Sequence, residues 1–371
     1  MKRHFCFLFL IFVIPLFTAG GESLSVKDDF QIIQPEDFRK VNDETYVTSI
    51  RQTDFKFNEA IYSWNIKIPE KQGFRLFFRV IPDKGNPEPW LYAGYWGGVK
   101  PRGDDIRTEF EHGRMLYDHI LLDKKYGQYQ FRIVDKGEKS LSLLPSMRFV
   151  YTEDERTTKT TGSGKSGSGK GVSETIVLDV PFRSQHATSG EHIPDTCQSA
   201  ALASAMQYFG KEIPLEGITK WTGDPEYDLM GIWPRTIGTG AQFGLAGYID
   251  RFRTWDKVAE TLSENKIILA SLTMPEEGDY IDPPYPRMSG HIVALCGVTD
   301  DGRVIVEDSA LSKNNKGHRL QWLIPDFEKI WMDQKGGVGM VIYSKDDMPV
   351  KKVNNIPDFQ SYKETEEKSS Q

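Results

Sequence analysis

The chain has 371 residues, 39% of them hydrophobic and 27% charged, and a formal net charge of -7. That length and apolar content allow two domains of ordinary size, each with its own core. The acidic balance leaves a nucleic-acid role without electrostatic support, because phosphate binding needs an excess of Lys and Arg.

The chain starts MKRHFCFLFLIFVIPLFTAGGES. Basic residues, an apolar run from Phe5 to Phe17 and small residues from Thr18 to Gly21 have the layout of a secretory signal peptide, residues 1–21. The run is short for a bilayer-spanning helix, which makes a retained anchor the weaker alternative. The expected location is secreted or periplasmic, with no stable membrane insertion after signal cleavage. Residues 22–44 read as an N-terminal extension.

Over residues 45–156 the strand signal prevails. Phe74, Leu76, Phe78 and Val80 alternate with Arg75 and Arg79, Tyr129, Phe131 and Ile133 alternate with Gln130 and Arg132, and Met147, Phe149 and Tyr151 repeat the period. Alternation of two, broken by Gly and Pro, describes antiparallel strands with one wet face. A β-sandwich of jelly-roll type is the natural architecture. The run WLYAGYWGG brings Trp90, Tyr92 and Trp96 close together. Such rings pack in a core, or on a surface stack on carbohydrate or cell wall.

The stretch TTKTTGSGKSGSGKG, residues 157–171, has no apolar side chain to bury and reads as a flexible linker. Beyond it, residues 172–350 change pattern. A short strand from Thr175 to Val180 leads to a helix from Cys197 to Phe209, a second helical stretch runs from Trp255 to Asn265, and the apolar runs KIILASLT, HIVALCGV, RVIVEDSA and GVGMVIYS read as strands. Helices first and a sheet afterwards suggest an α+β domain. Residues 351–371 are polar and charged, and read as a disordered tail.

Within that second domain, Asp195 or Thr196 is placed to cap the helix that Cys197 opens, Leu202, Met206 and Phe209 form its apolar stripe, and Gly210 ends it. A cysteine in the first turn sits where the helix dipole favours thiolate over thiol. Position alone equally describes a buried structural cysteine. His291 opens HIVALCGV, and the following strand ends at Asp308. A hairpin closing near Gly297 and Gly302 sets His291 opposite Asp308, whereas a tighter turn on Asp301 and Gly302 slides the partner along the strand. Nucleophile, base and orienting carboxylate then follow in chain order. Gln185, in the loop before the helix, has an amide that can donate to an oxyanion beside the Cys197 N–H.

His186 and His192 flank the approach to Cys197, yet no paired-ligand spacing supports a metal, and no cofactor is expected. His318 lies in the polar loop NNKGHRL with no apolar strand behind it. After signal removal two cysteines remain, Cys197 and Cys296, and their placement, one opening a helix and one inside an apolar strand, argues against a disulfide.

VPFRSQ, CQSAALASAMQYFG and GHIVALCGVTDDGRVIVEDSA together resemble the family 39-like cysteine peptidases of the papain clan, relatives of the bacteriocin leader-processing peptidases. GIWPRTIGTGAQFGLAGYIDRF and TDFKFNEAIYSWN resemble secreted members that carry a β-domain ahead of the peptidase. The resemblance implies a papain-like domain with Cys197 as nucleophile, His291 as base, Asp308 as its orienting residue and Gln185 in the oxyanion hole. It also implies Trp233 as a wall of the substrate cleft. Two departures stand out. Gln198 and Ser199 follow the cysteine where the family usually has Gly-Pro or Ser-Pro, and Glu307-Asp308-Ser309 replaces the usual Asn-Asp-Pro. The first of these bears on subsite shape rather than on chemistry.

Three readings follow. The chain is a secreted cysteine peptidase acting on a peptide or protein through an acyl-enzyme. It is a peptidoglycan amidase or endopeptidase of the same clan. Or it is a non-catalytic papain-like protein whose β-sandwich does the binding.

Overall fold

The computed structural model describes residues 26–98, 101, 106–155, 172–186, 196–276, 278–311, 316–353 and 355–362. The expected signal peptide and the linker over 157–171 lie outside these residues. In the first half the strands are β1 (Val26–Ile33), β2 (Phe38–Lys40), β3 (Thr45–Thr48), β4 (Arg51–Asn65), β5 (Gly73–Ile81), β6 (Leu91–Gly97), β7 (Glu109–Phe110), β8 (Gly113–Leu116), β9 (His119–Asp135) and β10 (Ser146–Asp154). They form one connected antiparallel sheet in the order β1-β10-β4-β9-β3-β2, with β5 and β6 joined to one end of β9 and β7 and β8 to the other.

The sheet encloses an aromatic core. Phe57, Phe78, Tyr129, Phe131 and Phe149 are fully buried, and the Tyr129 and Phe149 rings stack with centroids 4.1 Å apart. Tyr92 and Trp96 are also fully buried, while Arg79 lies 4.2 Å and Arg132 4.8 Å over the half-buried Trp90 ring. This takes away the sugar-stacking platform that WLYAGYWGG suggested, since two of its three rings face no solvent.

Two sequence expectations are corrected here. The sheet begins at Val26 rather than at Thr45. β1 pairs with β10 over its whole length although it is polar, and Asp28 ties it down by accepting from Thr152 Oγ1 at 2.7 Å and Arg253 Nε at 2.8 Å. Nor is Arg75 of β5 wet: it is 2% exposed, because the second half covers it and supplies Glu226 as its ion-pair partner. A buried guanidinium is tolerable when a carboxylate meets it.

The second half follows as β11 (Ile176–Val177), α1 (Cys197–Tyr208), α2 (Leu215–Thr222), α3 (Trp233–Gln242), β12 (Ala246–Arg251), α4 (Trp255–Ser263), β13 (Ile267–Met274), β14 (Met288–Val298), β15 (Arg303–Glu307), β16 (Leu320–Leu323), α5 (Ile324–Glu328) and β17 (Val338–Tyr343). Its antiparallel sheet runs β12-β17-β13-β14-β15-β16, with β11 on β14. β13 reads IILASLTM and all but one of its residues are buried, as suits a central strand covered on both faces. Part of the stretch expected to be a disordered tail from Lys351 is packed instead. Val353 N donates to Val177 O at 2.9 Å, Arg303 Nη1 to Pro357 O at 2.7 Å and Tyr362 OH to Gln321 O at 2.7 Å. These bonds satisfy polar groups that the charged composition suggested water would take, and residues 363–371 lie outside the description.

The two halves share a packed seam. Ile61 and Val150 of the first sheet sit in the core of the second half, and Trp221 of α2 sits in the core of the first. Two side-chain amides extend the main chain across it. Asn65 bonds Gly247 O and N at 2.8 and 2.9 Å, and Gln242 bonds Ile68 O and N at 2.9 and 3.0 Å. Arg251 meets Glu59 at 2.8 Å and Arg148 meets Asp250 at 2.7 Å, all four side chains largely buried. α3 lies flat on the first sheet at Gly238, where a Cβ would come within 2.5 Å of Trp64 Nε1 and 3.0 Å of the Trp96 ring. Gly238→Val should therefore lower stability by about 1–3 kcal/mol through overpacking. A thermal melt checks this; an unchanged midpoint would mean that α3 does not bear on the two indoles.

Candidate active site

Cys197 is the first residue of α1, half-buried, with a free thiol. The helix is buried nearly all round rather than along one stripe, because Ala200, Ala201, Ala203 and Ala205, with Ser199 and Ser204, keep it thin between β14 and its neighbouring helices. The expected side-chain cap is not formed by Thr196. Its hydroxyl instead donates to Gln185 O at 3.2 Å, which brings the Gln185 loop to the start of the helix. Asp195 and His192 lie outside the described residues.

The residues after the cysteine, Gln198 and Ser199, are fully buried. Gln198 Nε2 donates to Ile232 O and Thr236 Oγ1, both at 2.7 Å, and its Oε1 accepts from Gly231 N at 2.9 Å. Ser199 Oγ lies 2.6 Å from Thr222 Oγ1. Buried as they are, they brace α1 against α2 and α3.

His291 lies on β14 opposite Leu272 and is 8% exposed. Its Nε2 is 2.8 Å from Asp308 Oδ1. That leaves Nδ1 as the ring nitrogen for Cys197, which acts on His291 by charge and hydrogen bonding. The β14–β15 register differs from the expectation that set His291 opposite Asp308. Ala294 pairs with Glu307 and Val298 with Val304, with a bulge between Leu295 and Gly297, and Asp308 follows the end of β15. The imidazole thus meets the carboxylate beyond the ladder, not across it.

Asp308 is fully buried, and each of its carboxylate oxygens is occupied. Oδ1 accepts from His291 and from Ala310 N at 3.0 Å, and Oδ2 from Tyr285 OH at 2.7 Å. Its main-chain N donates to Gly317 O at 2.8 Å, and a Cβ on Gly317 would collide with Asp308 O. Ser309 follows. Its hydroxyl donates to Gln185 Oε1 at 2.9 Å and its carbonyl accepts from Gln185 N at 3.2 Å. With the amide oxygen held, the NH₂ group is the end of Gln185 presented for donation. Tyr285 and Ser309 were missed by sequence reasoning. Tyr285 sits in the loop DPPYPR, which has no period to read, and Ser309 was noted only as a departure from Pro.

The remaining candidates are elsewhere. Trp233 is 9% exposed at the seam, its N donating to Asp118 Oδ2 at 2.7 Å and its indole Nε1 to Ser271 Oγ at 3.2 Å, so little of the ring is open to a substrate. His186 contacts Ala310 O at 3.3 Å, and His318 pairs through Nδ1 with Glu307 at 2.9 Å. Cys296 is buried, and that burial pushes its thiol well up. Among the described residues no group of three or more His, Cys, Asp and Glu is arranged to hold a metal, and no helix is long and apolar enough to cross a membrane.

Burial alone would lower the His291 pKa, but the charge and hydrogen bond of Asp308, with Cys197 adding to them, raise it to about 10. Burial would raise Asp308, and His291, Tyr285 and Ala310 N together hold it below the ordinary carboxylate value. A raised imidazole stabilises the fold fully below its unfolded value, about 6.5, and that contribution is lost as pH rises through about 10. Unfolding midpoints of wild type should therefore fall over this window more than those of His291→Gln. Parallel curves would mean that His291 is not held as a cation.

Residues 177–338, somewhat under half of the chain, match the model of the Peptidase_C39 like family. No curated protein matches the chain. Among solved structures, a double glycine motif protease from an AMS/PCAT transporter, in complex with the leader peptide, is 14% identical over 46% of this chain and 95% of its own, with a TM-score of 0.30. A C39-like peptidase from Bacillus anthracis is 13% identical over 47% of this chain and 100% of its own, with a TM-score of 0.36. The segment that carries Gln185, Cys197, His291 and Asp308 thus matches the Peptidase_C39 like family, as its motifs implied.

Proposed function

We propose that this chain is a secreted cysteine peptidase, cutting peptide or amide bonds by acyl transfer through Cys197. The observation that carries this is a thiol at the start of α1 that acts by charge and hydrogen bonding on a buried imidazole, itself bonded to a carboxylate with both oxygens held. His291 holds the thiol proton as imidazolium. The thiolate attacks the carbonyl carbon, and the oxyanion is met by the Gln185 amide and the Cys197 N–H. Collapse breaks the C–N bond, and the proton on His291 passes to the leaving amine. Water, deprotonated by His291, then attacks the thioester and releases the acid, and the proton returns to the resting pair. Asp308 touches no substrate in this scheme; it fixes the ring and stabilises its cation.

In the same reading residues 1–21 are removed on secretion, residues 157–171 link the halves, and the first sheet is a sandwich of jelly-roll type. The test is turnover of a quenched peptide library by the mature chain. Cleavage that falls on the order of 10³-fold or more in Cys197→Ala supports the assignment, as does a mass increment on Cys197 in acid-quenched samples. Equal turnover by wild type and Cys197→Ala would end it.

A further inference from the structure

Tyr117 and Asp118 form the tip that joins β8 to β9 on the first sheet. Tyr117 sits at φ 57°, the left-handed region that costs a residue with a side chain about 1 kcal/mol or more and persists where neighbours over-determine it. Two neighbours do so here. Tyr62 OH, shared between Ala93 O and Tyr117 O, lies 3.1 Å from the latter, and Asp118 Oδ2 accepts from Trp233 N at 2.7 Å. Asp118 is 9% exposed, and burial lifts its carboxyl to about 7.

Trp233 opens α3, and its N–H is one of the donors that a helix start leaves without an internal partner. The residue before it, Ile232, has no side chain able to cap. A carboxylate at that end is favoured by the helix dipole. It comes from the other half of the molecule, 115 positions earlier in the chain.

The bonds continue beyond Trp233. The carbonyl of Ile232 accepts from Gln198 Nε2 at 2.7 Å, and Gly231 N donates to Gln198 Oε1 at 2.9 Å. Gln198 is fully buried and is the covalent neighbour of Cys197. The loop ahead of α3 is gripped from the same side. Glu226 receives Arg75 and Tyr92, and the Tyr227 ring packs 5.0 Å from Tyr117 and 5.7 Å from Tyr92.

We propose that Asp118 is a positioning residue for Cys197: the first sheet caps α3, the loop leading into α3 holds Gln198, and Gln198 seats the start of α1. The proposal rests on the reading of Cys197 as the nucleophile. It makes the first sheet part of the catalytic unit rather than an appended binding module, and it gives the unusual glutamine after the cysteine a purpose. Misplacing a reacting group by about 1 Å costs up to about 10²-fold in rate, so a brace this far from the chemistry is measurable.

The experiment is iodoacetamide labelling of Cys197 at neutral pH in the full chain, read by peptide mass, with buried Cys296 as the internal reference. Asp118→Ala should slow labelling about tenfold, whereas Asp118→Asn, which keeps an acceptor for Trp233 N, should stay within about threefold of wild type. Gln198→Ala should slow labelling similarly, and the double variant should be no slower than the slower single, because both cut one path. A merely structural Asp118 would lower the melting temperature without rescue by Asn and without this non-additivity. Wild-type labelling in Asp118→Ala, or additive effects, would overturn the proposal. If Asp118→Ala does not fold, Gln198→Ala decides, and unchanged labelling there overturns it. Should Cys197 of wild type label no faster than Cys296, the nucleophile reading falls and this one with it.

Discussion

A carboxylate with no solvent contact cannot stand alone, and most of the second half can be understood from how Asp308 is satisfied. Four groups hold it: the His291 imidazole, the Tyr285 hydroxyl, the main-chain N of Ala310 and, on its own main chain, the carbonyl of Gly317. Each comes from a different stretch. β14 must present His291 at its wet end, the DPPYPR loop must fold back to bring Tyr285, and the chain after β15 must turn sharply enough for Gly317 to pass against Asp308. Once those are set, one nitrogen of His291 remains, and α1 brings Cys197 to it. The imidazole pKa is consequently raised, with the Asp308 carboxylate on one side and the Cys197 sulfur on the other.

The seam between the halves belongs to the same logic. Arg75, Arg148, Arg235 and Arg251 are all largely buried there, and removing charge from water is tolerable only because Glu226, Asp250, Asp224 and Glu59 face them. Asn65 and Gln242 complete main-chain bonding that would otherwise end at a surface. Such a seam is poorly suited to two domains that move independently. It suits a single body in which the first sheet forms the floor beneath α3.

Local pattern carried much of this. The helix that Cys197 opens, the strand that carries His291 and the strand that ends beside Asp308 were legible from periodicity and turn residues alone. Gln185 and the architecture around it came from resemblance of motifs. What could not be read was whatever depends on a partner distant in sequence. Arg75 alternates with apolar residues and reads as wet, yet it is buried by a loop about 150 positions away. β1 is too polar to announce itself, and its place is set by β10 and Arg253. The register of β14 and β15 turned on a bulge at Cys296 that no turn signal marks. Tyr285, Ser309, Gln198 and Asp118 carry no local signature at all, since each acts through one hydrogen bond, or a few, to a residue that only the tertiary fold brings near.

The most direct measurement is the rate of Cys197 alkylation by iodoacetamide as a function of pH, in wild type, His291→Ala and Asp308→Asn. The account predicts fast labelling that persists below pH 7, is slowed strongly by His291→Ala and is weakened by Asp308→Asn. Slow labelling at those pH values, unchanged in either variant, would contradict it and return Cys197 to a structural role.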